Sequence, residues 1–326
     1  MTRLLISFFG VCALYQLSVS AALAGPAGAV RQVTLSNTLP GNDDGSTDAI
    51  PLRIGGESGI NFFGQKFTRV YVNNNGNITF ESASETYTPE GLKTGVGQPI
   101  IAPFFADVDT RNSSPVMYGN ATIGSYQAFV VNYVGVGYYG EHNDKLNSFQ
   151  IVLLDRSDTG PGNFDIELNY NQILWDTGDA SGGSNGLGGT SAEAGFSNGL
   201  TGDANVYFRL PGSMVNGALI DGGPNALVSN SRNSTTPGRY VFEVRNGTVT
   251  IPPPSNGGPL TVTSVDLGTV ALGQGISGAL VIAGGTPPYF FTAARRITGG
   301  NQRRRRGPDW RHSCTTGTLH RKTAGL

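Results

Sequence analysis

The stretch IAPFFADVDT, residues 101–110, places two carboxylates, Asp107 and Asp109, one residue apart behind a run of apolar side chains. On a regular strand both point to one face, with Ala106 and Val108 on the other. Same-face carboxyls about 5 Å apart are the apparatus of a retaining glycosidase, provided burial raises the pKa of one of them. They are equally the beginning of a calcium site, since that hard cation collects about six to eight oxygens from carboxylates, amides and carbonyls. Further donors lie in GNDDGSTD (Asn42, Asp43, Asp44, Asp48) and in WDTGDASGGSNG (Asp176, Asp179), without the spacing of an EF-hand loop. Calcium is the better served of the two chemistries. A strand end running into TRNSS is a poor place to desolvate a general acid. Asp107 and Asp109 are therefore the first candidates for a calcium ion. The plainer alternative stays open: two aspartates that end a buried strand and bind backbone N–H groups or Arg111.

Other catalytic constellations are missing. Between Gly25 and Ala294 there is one histidine, His142, in the loop GEHNDKLN, and no HExxH, GxSxG or phosphate-loop motif. The glycine-rich run over residues 181–189 is followed by no helix that would supply a dipole for a phosphate. This pattern predicts a protein that is not an enzyme. Trp175, Phe104, Phe105, Phe164 and Tyr170 read as core. VNYVGVGYYGEHND reads as an exposed aromatic strip in which Tyr133, Tyr138 and Tyr139 stack on a ligand, a sugar ring included, with Asp176 as a polar partner.

The elements that position these residues are strands. FTRVYV and NITF flank NNNG, whose residues tolerate positive φ, so this is a hairpin. QPIIAPFFADV, YQAFVVNYVGV, NSFQIVLLD, FDIELNYNQILW, AEAGFS, VYFRL and GRYVFEV continue the series, separated by Gly, Asn and Asp turns. Segments of this length without helical periodicity predict an all-β, sandwich-like fold. Residues 1–24 have a basic start, an apolar run and the small residues Ala22-Leu23-Ala24, the layout of a signal peptide for export. Cys12 lies within it, so the mature chain keeps only Cys314 and forms no internal disulfide. No later segment is apolar enough over about 20 residues to span a membrane. From Gly25 to Ala294 there are 12 Lys and Arg against 22 Asp and Glu, a surface that excludes nucleic acid as a partner.

Six blocks then carry a resemblance: FFGQKFTRVYVNNNGNITF, PIIAPFFADVDTR, NSFQIVLLDRSD, GNFDIELNYNQILWDTGDASGGSNGLGG, AEAGFSNG and FRLPGS. In order and over most of the stretch from Ile50 to Val244, they resemble the nidogen-like extracellular domain. The resemblance implies a β-rich extracellular module associated with cell and matrix adhesion, whose partners are matrix or surface proteins or glycans. Animal members often carry cysteine-rich modules beside this domain, and the lack of cysteines here points to the bacterial secreted kind.

The expected organisation is a signal peptide (1–24), an N-terminal spacer (25–49), the nidogen-like domain (50–248), a Pro/Gly linker (249–259), a partial immunoglobulin-like domain (260–294) and a basic tail (295–326). The fifth segment, with its GGTPPYFF, resembles the opening strands of a bacterial, cadherin-like immunoglobulin domain. The character changes at RRITGGNQRRRRGPDW. One permitted codon choice for this stretch, read one nucleotide later, gives GGLPAAISADGVVLT, a fitting continuation of the immunoglobulin-like domain. We therefore read the tail as out of frame and the protein as a building block of a longer surface protein; a genuine arginine tail would instead admit polyanions such as nucleic acid. Resequencing the gene across the codons for residues 290–326 is expected to show one nucleotide gained or lost. An intact frame would overturn that reading.

Overall fold

The computed structural model describes residues 28–252 except 90, 94, 95 and 201–206, together with 254 and the short strand pieces 261–263, 281–283, 289–291 and 312–314. The segment read as a signal peptide, and nearly all of those read as a partial immunoglobulin-like domain and a basic tail, lie outside the described residues. Along the chain come β1 (Asn37–Leu39), β2 (Ile50–Pro51), a small hairpin β3 (Ile60–Phe62) and β4 (Gln65–Phe67), and a second hairpin β5 (Arg69–Asn73) and β6 (Asn77–Thr79). β7 (Ile100–Phe105), β8 (Val108–Asp109), β9 (Val116–Ile123), β10 (Tyr126–Tyr138), β11 (His142–Asp155) and β12 (Phe164–Gln172) follow. The glycine-rich loop folds into the short hairpin β13 (Gly183–Ser184) and β14 (Leu187–Gly188), and β15 (Glu193–Ser197), β16 (Tyr207–Arg209), β17 (Arg239–Arg245) and β18 (Thr248–Thr250) complete the domain.

These strands form the all-β architecture that the alternation of strands and turns implies. One antiparallel sheet runs β1-β9-β10-β11-β12-β17-β18, with β8 also paired to β10, and the other runs β16-β15-β7-β6-β5-β2. Their inner faces meet through aromatic rings. Phe104 of β7 lies 5.4 Å from both Phe149 of β11 and Trp175, and Phe196 of β15 lies 5.1 Å from Phe242 of β17. Such rings carry most of the burial energy of a sandwich core.

The outer faces are covered as well, and the sequence shows why. The runs AFVV in β10 and IVLL in β11 are apolar at consecutive positions, so each strand buries side chains on both faces. Phe129 and Val131 face the inner core, while Ala128, Val130 and Val152 pack outward under Leu35 and Val33. The segment read as an N-terminal spacer is thus partly a structural cover. It is fixed by β1 pairing with β9, by Arg31 bound to Glu167 at 2.6 Å, and by Gln150 bonded to the Arg31 backbone.

The IAPFFADVD stretch turns out to be the corner between the sheets. β7 belongs to one sheet and β8 to the other, and the chain crosses through a bend at Ala106 and Asp107. The Val108 N–H donates to the Ala106 carbonyl at 2.9 Å, closing a three-residue turn with Asp107 at its apex. Strand alternation therefore does not extend across Asp107, and the expectation that Asp107 and Asp109 share one strand face fails for that reason.

The NNNG hairpin forms as expected, with Asn73 opposite Asn77, but by a different mechanism. Gly76 alone of the turn has positive φ, at 72°, and a Cβ there would meet the Phe104 carbonyl oxygen at 1.8 Å. The asparagines are fully buried and act through their amides. Tyr133 seals this turn from the opposite sheet: its hydroxyl lies 2.7 Å from the Asn73 carbonyl and 3.0 Å from that of Asn77. Tyr133→Phe is expected to leave both carbonyls underbonded and cost about 2 kcal/mol, read as a lowered urea midpoint at unchanged m-value.

A second strut follows β12, where the Asp221 carboxylate accepts from the Ile173 N–H at 3.1 Å and the Asp221 N–H donates to the Ile173 carbonyl. Burial pushes the Asp221 carboxyl up from its ordinary 3.8 to about 6, against the Ile173 hydrogen bond that lowers it. The folded protein thus keeps a proton that the unfolded chain has already lost, so this group's contribution falls as pH rises through that window and is constant above it. Lowering pH from 7 to 4 is expected to stabilise the wild type relative to Asp221→Asn by on the order of 1 kcal/mol, after allowance for solvent screening. Parallel stability curves for the two proteins would contradict this.

Candidate functional site

Four loops converge at the corner, and hydrogen bonds from the buried asparagines fix the acidic loop and the bend there. Asn74 donates its amide to the carbonyls of Asp43 and Val108 and accepts from the Thr110 hydroxyl at 2.8 Å. Asn75 donates to Asp44 Oδ1 at 2.9 Å and accepts from the Val108 N–H at 3.0 Å. The acidic loop GNDDGSTD is thereby held against the bend. The loop after β10 joins through the Tyr139 N–H, which donates to the Asp107 carbonyl, and the glycine-rich loop closes the fourth side. Gly178 stands so near that a Cβ on it would lie 2.6 Å from Asp107 Oδ2.

The result is a cluster of carboxylates. One ligand oxygen each from Asp43, Asp44 and Asp107 lies within 4.8 Å of the others. Asp107 is 1 % exposed, and neither of its carboxylate oxygens has a hydrogen-bond partner. Burial, and then the charges of Asp43, Asp44, Asp109 and Asp179, push its carboxyl up to about 7. The same forces raise Asp43.

Asp109 is placed differently from its sequence neighbour. Its two oxygens accept from the Arg111 guanidinium, the Arg111 N–H and the Glu141 N–H. These bonds hold its carboxyl below the usual range despite burial. Of the candidate calcium pair, the structure brings Asp107 into an oxygen cluster and turns Asp109 into an ion pair. Asp43 and Asp44, which the sequence offers only as loose donors, take the places beside Asp107.

The exposed aromatic strip is corrected at two of its three residues. Tyr133 and Tyr138 are buried, the first in the core stacked on Phe149 at 4.8 Å and the second stacked on His142 at 4.6 Å. Tyr133 follows Phe129 and Val131 onto the inner face by plain alternation, and the register shift between Val134 and Val136 then turns Val136 and Tyr138 to that face as well. Tyr139 is 37 % exposed, on the loop beside the cluster. Asp176 is buried too. Its carboxylate accepts from the Gly217 N–H at 2.7 Å and the Thr177 hydroxyl at 2.9 Å, so it ties loops together. His142 is half-buried and sits 3.4 Å from Asp179 at the rim. Asn77, in one of five glycosylation sequons, is fully buried and presents no acceptor in the folded domain.

The family described as "Nidogen-like domain" matches residues 68–127 and 119–246, together more than half of the chain. Human alpha-tectorin is 33 % identical over 231 residues, covering 63 % of this chain and 10 % of tectorin. Nidogen of Drosophila melanogaster is 28 % identical over 230 residues, 61 % of this chain and 15 % of that protein. Mouse nidogen-2 is 35 % identical over 103 residues, 31 % of this chain and 7 % of its own length. The chain thus spans about a tenth of the length of the curated relatives it matches. No solved structure matches it.

Proposed function

The chain belongs to the nidogen-like domain family, and from that premise we propose that it is an exported, non-catalytic binding module of the extracellular adhesion type. The single observation that carries this reading is the family match, which runs across the β-sandwich from β5 to β17. The site chemistry supports it. A retaining glycosidase needs a free carboxylate nucleophile beside a protonated acid. Here Asp109 is engaged by Arg111 and Glu141, and only Asp107 is without partners.

The face offered to a partner is the loop end around the cluster, where Tyr139, Asp144 and Asp179 are exposed around the half-buried His142. A half-exposed tyrosine among charged and amide groups suits a protein or glycan surface of the extracellular matrix. Among the described residues no helix is long and apolar enough to cross a membrane.

The full chain is expected to bind a cell-derived extracellular matrix saturably, with Tyr139→Ala weakening binding about tenfold, and to release no sugar from a polysaccharide panel. Sugar release that disappears in Asp107→Asn would replace this reading with a carbohydrate-active one.

A further inference from the structure

We propose that Asp43, Asp44 and Asp107 bind a calcium ion that fastens the N-terminal acidic loop to the corner of the sandwich. This inference stands apart from the adhesion reading and needs no partner.

Asp107 provides the reason. A carboxylate buried with both oxygens unpartnered costs several kcal/mol, and natural structures contain few such groups. The charges that act on it, those of Asp43, Asp44, Asp109 and Asp179, are acidic, which makes the cost larger. The cation at hand does not relieve it. Arg111 spends its guanidinium on both oxygens of Asp109 and reaches Asp43 Oδ2 at 3.3 Å. On the same Asp43, Oδ1 is buried with no partner.

The surroundings are already arranged for an ion. Asn75 fixes Asp44 Oδ1, Asn74 holds the Asp43 backbone, and the glycine at 178 keeps a side chain from covering Asp107. Ligands held by such partners lose little freedom when a cation arrives. The donors are carboxylate oxygens alone, with no cysteine or histidine in the cluster, so the ion is a hard one. Two of the three come from a loop bounded by Gly41 and Gly45, which leaves the remaining positions to water when an ion binds. Calcium accepts that irregular geometry, whereas magnesium demands a near-ideal octahedron.

The test uses the full exported chain, stripped with a chelator and then titrated with calcium chloride or magnesium chloride alone. Calorimetry is expected to show one calcium per chain, and 1 mM calcium to raise the thermal midpoint by several degrees, more than equal magnesium does. Asp107→Asn is expected to weaken calcium binding at least tenfold and remove the midpoint shift, while melting no lower than wild type in chelator. Asp44→Asn, at a partly exposed position, gives the same loss of binding and serves if Asp107→Asn does not fold. Asp48→Asn, on the same loop with an exposed side chain, keeps the response. Absence of calcium binding by the wild type, a response that survives both cluster substitutions, or a stronger response to magnesium would overturn the proposal.

Discussion

The interaction on which the domain depends is the burial of the asparagine turn over residues 73–77 between two sheets. Each side-chain amide taken out of water must find hydrogen-bond partners inside the protein, and no partner within the hairpin itself suffices. Asn73 reaches Asn77 and Thr79, and its oxygen accepts from Ser46 and Ser84. Asn74 and Asn75 reach further, to the acidic loop and the bend before β8. Three distant parts of the chain are thereby drawn to one point. The Tyr133 hydroxyl, coming from the opposite sheet, locks the same turn from within.

That convergence has an electrostatic consequence. The loop that satisfies the asparagines carries Asp43 and Asp44, and the bend that receives them carries Asp107 and Asp109. Folding therefore concentrates negative charge at one end of the sandwich, where Arg111 neutralises part of it. The two aspartates of the bend end up in opposite circumstances, one in an ion pair with a lowered pKa and one without partners and with a raised pKa. The separation arises because the turn at Asp107 sends its side chain out of the strand pattern that Asp109 follows.

Several features were legible in the residues because they follow from local chemistry. The all-β class came from short β-rich segments between turn residues, and the family from ordered blocks of motif. The corner was not legible, since IAPFFADVD reads as one continuous strand until the sheet partners of its two halves are known. Along β10, Tyr133 continues the inward alternation of Phe129 and Val131, whereas Tyr138 reaches the same face only through the bulges in the pairing with β11, which leave no sign in composition. The N-terminal cover was missed because it is short and extended and joins the fold through distant hydrogen bonds and the outer packing of Leu35.

By itself the sequence determined the strand class, the family and the stock of acidic and amide residues, since these depend on residue type and short-range order. Only the tertiary structure decided which of those residues meet. The four acids at the corner come from segments more than 60 residues apart, and Arg111 chose between two neighbouring aspartates by geometry alone. Side-chain partners across such separations are set by how sheets stack and where the chain turns between them, and spacing along the chain carries no record of either.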